Sequence, residues 1–339
     1  QTPSFMPKSV DILDYMTLAN EIQVHNIGAG QKGNIRFTPQ DFNDYATGKK
    51  VASNWNEAVL NDFAPQMQHD ISASGGTENT SYFASLGYQQ QDGYFKSGDL
   101  RYNRYNLRSN LSTKLTKNLT FDLNLSGIID QKDQLLEDTY WVIRSTWYQA
   151  PTEQIYANNN PDYLANVPSS LNAVAHANAD ISGYRIYSNK WFQSSASLNY
   201  NVPFVKGLSA KGLFSYDYQI ANNKFYNKTY NLFSYNAGTN VYTPSPQKSP
   251  STLRREFYDY PWFLFQGSLN YARTFGSHNV SGLLLYESNI LKGDNFYAQR
   301  ELSIPVDQLL AGNSLNQQGN MSSNQLNLFD NRTASYVGK

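Results

Sequence analysis

The sequence predicts an all-β fold: a transmembrane antiparallel β-barrel, represented by about eight of its strands, with long extracellular loops. Three observations predict it. Short segments alternate apolar and polar side chains with period two, as in a strand whose two faces meet different surroundings. The connections between these segments are alternately very short and very long. Mean hydropathy is polar at −0.58, yet only 16% of residues are charged. Uncharged amides and hydroxyls supply that polarity, beside 26 Tyr and 18 Phe.

The clearest alternation is NLTFDLNLSG at 118–127. Leu119, Phe121, Leu123 and Leu125 share one face, and Thr120, Asp122, Asn124 and Ser126 the other. A soluble sandwich would turn the apolar face to a protein core. A membrane barrel turns it to lipid and the polar face to water. The four apolar residues are therefore the candidate lipid-facing set.

Residues 1–65 read as irregular with short helices, one at DILDYMTLANEI, 11–22, where Ile12, Tyr15, Met16 and Ala19 have helical spacing. From about 66 the period becomes two. Strands are expected near 68–75, 79–90, 102–114, 118–130, 190–202, 207–220, 256–273 and 278–290, with a ninth starting at 333. The strand at 278–290 is apolar on both faces around Leu283–Leu285, so its orientation stays open. GGTE, LTK, PFVKG and TFGSH make tight turns, whereas 91–101, 131–189, 221–255 and 291–332 are long. Long loops recurring on one side only are a barrel's habit, with periplasmic turns and extracellular loops. That decides for lipid. Aromatics near strand ends agree, as girdles at the two interfaces: Tyr88, Tyr105, Tyr200, Phe204, Tyr218, Tyr271, Phe275 and Tyr286.

Other features exclude classes. The 27 basic and 27 acidic residues balance, giving no footprint for nucleic acid. There is no cysteine and no apolar run long enough for a transmembrane helix. GAGQKG at 28–33 matches a dinucleotide fingerprint through Gly28, Gly30 and Gly33, but a polar segment and Pro39 follow where a helix is needed; it reads as a surface loop. His25, His69, His176 and His278 have no metal spacing, and no nucleophile–base set is legible. No catalytic, cofactor or metal residue is assigned. Asp133, Glu137 and Asp138 read as the opening of a loop helix facing water, in preference to a calcium or catalytic group. Loop 131–189 carries Trp141, Trp147, Tyr148, Tyr156, Tyr163, Tyr184 and Tyr187. The first four are the weak candidates for substrate binding. Trp141 and Trp147 either form a sugar or peptide platform or pack their helix onto the barrel rim.

The run at 69–127 resembles the SusC-like family of TonB-dependent outer-membrane transporters from Bacteroidetes. Ser74–Gly76, the strand Tyr82–Tyr88, Gly93 and RYNLRSN at Arg104–Asn110 carry the match in order and spacing. DYMTLANE, Asn54-Trp55, HNVSGLLLYE, AQR and SYVGK extend it. The resemblance implies a larger plugged barrel in the bacterial outer membrane, driven by TonB and covered by a SusD-like surface lipoprotein. The cargo expected is a nutrient, an oligosaccharide in preference to a peptide. No plug and no TonB box are legible here, residues 1–20 lack a signal-peptide pattern, and TASYVGK reads as a strand just beginning. The expectation is a fragment: 1–65 as an extracellular loop region, 66–339 as partial barrel, with two strand edges that hydrocarbon cannot solvate. A passive porin, a soluble all-β glycan-binding adhesin and an outer-membrane enzyme are the alternatives.

Overall fold

The structure, a computed structural model, describes residues 10–25, 35–167, 171–320 and 329–339; GAGQKG lies outside them. Three helices open the chain. The first, α1 (Ile12–His25), buries Met16. The second, α2 (Pro39–Ala46), starts in a capping box between Thr38 and Asp41. The third, α3 (Trp55–Val59), is capped by Asn54 and buries Trp55 and Val59.

From Gln66 the period-two pattern becomes a continuous antiparallel sheet. Its strands are β1 (Gln66–Gly76), β2 (Thr80–Asp92), β3 (Arg101–Thr116), β4 (Leu119–Leu135), β5 (Gly183–Asn201) and β6 (Leu208–Asn227). After a separate hairpin of β7 (Tyr230–Asn236) and β8 (Val241–Gln247) come β9 (Ser251–Phe275) and β10 (His278–Leu302). Two strands then run along one edge of β10: β11 (Gly312–Asn320) beside its end, β12 (Phe329–Gly338) beside its middle. Sheet order is β1-β2-β3-β4-β5-β6-β9-β10, each strand antiparallel to its sequence neighbour in the sheet. Among the described residues no helix is long and apolar enough to cross a membrane. The turns close as the spacing predicts. In the β5–β6 turn Gly207 has φ +88°, and a side chain there would run into the Ala272 carbonyl.

The strands outrun their expected ends on the long-loop side. Residues 131–135, 183–189, 221–227, 251–255 and 291–302 are strand, and 230–247 holds the extra hairpin. The loops predicted at 131–189, 221–255 and 291–332 are correspondingly shorter. The reason is physical: a strand with polar surroundings on both faces keeps its ladder but loses its hydropathic alternation. The apolar pattern therefore marks where the environment is two-sided, not where the strand stops.

The missing loop order is supplied by packing. Trp55, Val59 and Leu60, Phe95 of the β2–β3 connection, Leu135 ending β4, and Val142, Val167, Ala173 and Ala177 of the β4–β5 connection form one buried core. Backbone bonds tie the same segments: Lys96 N–H to Val59 O at 2.9 Å, Ser53 N–H to Pro151 O at 2.8 Å. Three connections thus make a single cap. Within it lie α4 (Thr139–Tyr148), α5 (Ala173–His176) and α6 (Ala179–Ser182). Trp55 is its largest fully buried side chain. Trp55→Ala should cost about 3–5 kcal/mol in this unit. Hydrogen exchange in the full-length protein should accelerate at 91–101 and 136–182 while β9 and β10 stay protected.

Candidate functional surfaces

Directly paired residues of antiparallel strands project to the same side, so the register assigns every side chain a face. One row reads Tyr82, Leu111, Leu123, Ala196, Phe214 and Phe265 across β2 to β9. The next includes Phe121, Leu198 and Tyr286, and the one beyond it Leu119, Tyr200, Leu269 and Leu284. Tyr88, Tyr105, Tyr218, Tyr271 and Phe275 fall on this face too. Leu86, Leu107, Phe214, Phe265 and Leu284 each expose roughly half or more of their surface. From β2 to β10 the face carries no charge until Asp92, Arg101, Asp133, Lys190, Lys224, Asp259 and Lys292 at the loop end and Arg273 at the turn end, and in β12 Arg332 lies on it beside Ile290. Register also orients β10: Leu284 joins the apolar face, while Leu283 and Leu285 take the other.

The opposite face is hydrogen-bonded. Asp122 accepts from Ser112 Oγ at 2.6 Å, Asn199 Nδ2 at 2.9 Å and Ser197 Oγ at 3.3 Å, across three strands. Asn124 Nδ2 donates to Ser195 Oγ at 3.2 Å, and Gln266 Nε2 to Glu287 Oε2 at 3.1 Å. Arg108, Ser126, Gln193 and Asp217 form one cross-strand row here. Trp191 and Trp262 interrupt the polar face, and Trp262 gives its indole N–H to Asn289.

On the cap, α4 begins where Asp138 Oδ1 accepts from Tyr140 N–H, the helix-opening role expected for that carboxylate. It buries Val142, Ser145 and Thr146. Trp141 is 50% exposed and Trp147 54% exposed, so neither packs the helix down. Instead Tyr140, Trp141, Arg144, Trp147 and Tyr148 form an outward stripe. Arg144 sits 4.9 Å from the Trp141 ring centre and 4.6 Å from that of Tyr148, and donates to Tyr148 Oη at 2.9 Å. Tyr156 is not part of this stripe; it is half-buried and bridges Leu164. Tyr163 stacks on Tyr242 at 4.1 Å and meets Phe233 edge-on, docking the β7–β8 hairpin. Tyr184 and Tyr187 belong to β5.

Glu137 departs from the water-facing reading. It is half-buried, ion-paired to Lys248 and 4.0 Å from His176 Nδ1. His176 is buried, with Nε2 3.0 Å from Tyr230 Oη. No sequence spacing announces this cluster, which joins Glu137 and His176 of the β4–β5 connection to Tyr230 and Lys248 of the stretch between β6 and β9. Burial pushes the His176 imidazole down to about 4, with Glu137 opposing. Burial would raise the Glu137 carboxyl, but the Lys248 bond and charge outweigh it and hold it below its usual value. Among the described residues no group of three or more His, Asp or Glu is placed to hold a metal.

No family model matches the chain. A curated relative, TonB-dependent receptor P26 of Formosa agariphila, is 32% identical over 123 residues, 36% of this chain and 12% of the relative. The RagAB peptide importer in its closed-closed state superposes with TM-score 0.63 at 17% identity, over 96% of this chain and 36% of the other. Its open-open state gives 0.62 at 18%, with the same coverage. The chain therefore spans about a third of those solved chains and about an eighth of the curated relative. It has the fold of one stretch of a SusC-like TonB-dependent outer-membrane barrel, as the motifs at 69–127 predict.

The His176 cluster generates a pH dependence. The folded protein resists protonating His176 between its unfolded value of 6.5 and about 4, so the unfolded state binds more protons there. Stability falls as pH drops through that window. Loss of the Glu137 contribution follows at lower pH. Exchange of amides in 230–247, corrected for intrinsic rates, should rise between pH 7 and pH 5, and His176→Gln should flatten that slope.

Proposed function

We propose that this chain is wall and cap of an importer that moves a large nutrient across the outer membrane, energised through TonB. The observation that carries the reading is the two-faced sheet: an exposed apolar face, its charges from β2 to β10 confined to the two ends, backed by a hydrogen-bonded polar one. That is how a barrel meets lipid outside and water within. Leu119, Phe121, Leu123 and Leu125 then contact lipid, and Asp122 and Asn124 face the lumen.

The cap lies at the long-loop end, which this reading places outside the cell. Plug, TonB contact and the remaining wall belong to parts of the full-length protein not spanned here. A SusD-like lipoprotein is the proposed partner over the cap. The ligand is an oligosaccharide or a peptide. The α4 stripe, with Trp141, Arg144, Trp147 and Tyr148, offers flat faces for sugar rings or aromatic side chains. The name of the RagAB peptide importer favours the peptide. The chemistry is binding and release; no covalent step is assigned to any residue.

Three measurements test this. Leu123→Arg should cost about 2–4 kcal/mol of folding in a bilayer, and Asp122→Asn far less. Equal tolerance of both would remove the lipid face. On intact cells, an impermeant thiol reagent should mark Asn159→Cys and leave Lys117→Cys unlabelled; the reverse would invert the topology. Uptake of labelled oligosaccharide or oligopeptide by cells expressing the full-length protein should stop when an uncoupler collapses the proton gradient. Uptake that continues would make it a passive pore.

A further inference from the structure

The carboxylates of the polar face are satisfied within the sheet, with one exception. Asp70, Asp122, Asp130, Glu256, Glu287 and Glu301 each accept a hydrogen bond from a nearby side chain. Asp217 has neither a side-chain hydrogen bond nor an ion pair among the described residues. Its surroundings explain why. Register sets it between Gln193 and Trp262, with Ser215 and Gln219 before and after it on that face of β6. None of the four is a cation.

Arg108 stands at the other end of the same row, Arg108–Ser126–Gln193–Asp217. Ser85 and Ser126 flank it across the sheet, Asn106 and Asn110 along β3, so no carboxylate adjoins it. It too has no ion pair among the described residues. Between the two charges the surface sinks into an open depression of about 200 Å³. Eight of its ten lining residues belong to the polar face, Arg108 and Asp217 among them; Leu125 and Ser194 are the two from the other. The side chains of Asn110, Ser126 and Gln193, also in the lining, make no hydrogen bond among the described residues. The depression therefore offers a cation, an anion and uncommitted amides and a hydroxyl between them.

Three strand-to-strand steps separate β3 from β6, about 14 Å between the two Cα atoms, or roughly four residues of extended chain. With part of that taken up by the Arg108 and Asp217 side chains, a peptide of about three residues spans the rest. We propose that this depression holds a short peptide with both termini free, its ammonium on Asp217 and its carboxylate on Arg108. The proposal rests on the reading above that the polar face lines the lumen. The isolated charges select such a ligand. A guanidinium grips a carboxylate through two parallel bonds, and an ammonium–carboxylate bond is likewise charge-assisted. The amides and hydroxyl of the row match the N–H and C=O groups of a peptide backbone. A neutral sugar meets neither charge with a charge, and an interior stretch of a longer chain brings no termini.

The test is calorimetric titration of the full-length protein in mild detergent with trialanine, N-acetyl-trialanine, trialanine amide and maltotriose. Wild type should bind trialanine, and each blocked peptide about tenfold more weakly, the effect of one charge-assisted bond. Asp217→Asn should weaken trialanine about tenfold and cease to distinguish it from the N-acetyl form, while still disfavouring the amide. Arg108→Gln should do the converse. Heat-dependent gel migration checks that each variant is folded. No trialanine bound by wild type, or discrimination that survives both substitutions, overturns the site. Maltotriose binding weakened by the same two substitutions overturns it in favour of a sugar. A lowered unfolding temperature in both variants with no trialanine binding overturns it in favour of another part of the full-length protein covering these charges. Brominated-lipid quenching of a bimane on Phe263→Cys, with none on Gln266→Cys, checks the lumen reading separately. That pattern without trialanine binding refutes the site alone, and quenching at Gln266→Cys refutes the lumen reading with it.

Discussion

A peptide group inside hydrocarbon has no water to bond, so every N–H and C=O crossing it needs a partner in the next strand. The rest of this chain follows from that constraint. It disfavours irregular backbone between turn and loop, hence the long antiparallel ladders from β1 to β10, whose one register shift, between Lys114 and Thr116, sits beside the β3–β4 turn. It leaves side chains free to vary, hence serines and glycines within strands whose ladders stay intact. Ser194 and Ser215 even return their hydroxyls to cross-strand carbonyls, at 2.8 and 2.9 Å. Pro261, well inside β9, sits where the β9–β10 ladder passes from Leu291–Trp262 to Asp294–Asp259. The outer strands β1 and β12 have unpaired edges among the described residues, and in hydrocarbon such edges demand further strands.

Outside the hydrocarbon the constraint relaxes and a different economy holds. Long connections lose conformational entropy on ordering, and here they recover it by burying one another. The cap core takes residues from α3, β2–β3 and β4–β5 alike. Its charged seam, Lys248 on Glu137 beside buried His176, fastens the β7–β8 hairpin to that core. The aromatic stripe of α4 faces outward: its opposite side satisfies the core, and Trp141 and Trp147 keep about half of their surface exposed.

What was legible in the sequence tracks these two regimes. The alternation from Leu119 to Leu125 could be read directly, because successive side chains of a strand take opposite faces, and the register keeps the four apolar residues on one of them. Turn positions and the parity of short and long connections were legible for the same reason. Strand ends were not, since beyond the apolar band residues such as Gln131, Asn223 and Arg254 continue the ladder without alternation. Asp138 announced a helix start, and it caps one. Glu137, one residue away, looks equivalent in sequence; only the arrival of Lys248 and His176 distinguishes it. Contacts between distant connections leave no local trace.

The shared cap core sets an order of events during biogenesis. Its residues run from Trp55 to Ala177, and β1 to β4 lie between the first and last of them. Such distant contacts close slowly, because the intervening chain must be organised first. Hairpins β1–β2 and β3–β4 need only adjacent residues, so they zip early. Trp55 must wait, uncovered, until α4 and α5 have been delivered to the same side. The cap therefore gains its native packing after these two hairpins, and its aromatic and alanine-rich segments are the surface that needs shielding in transit.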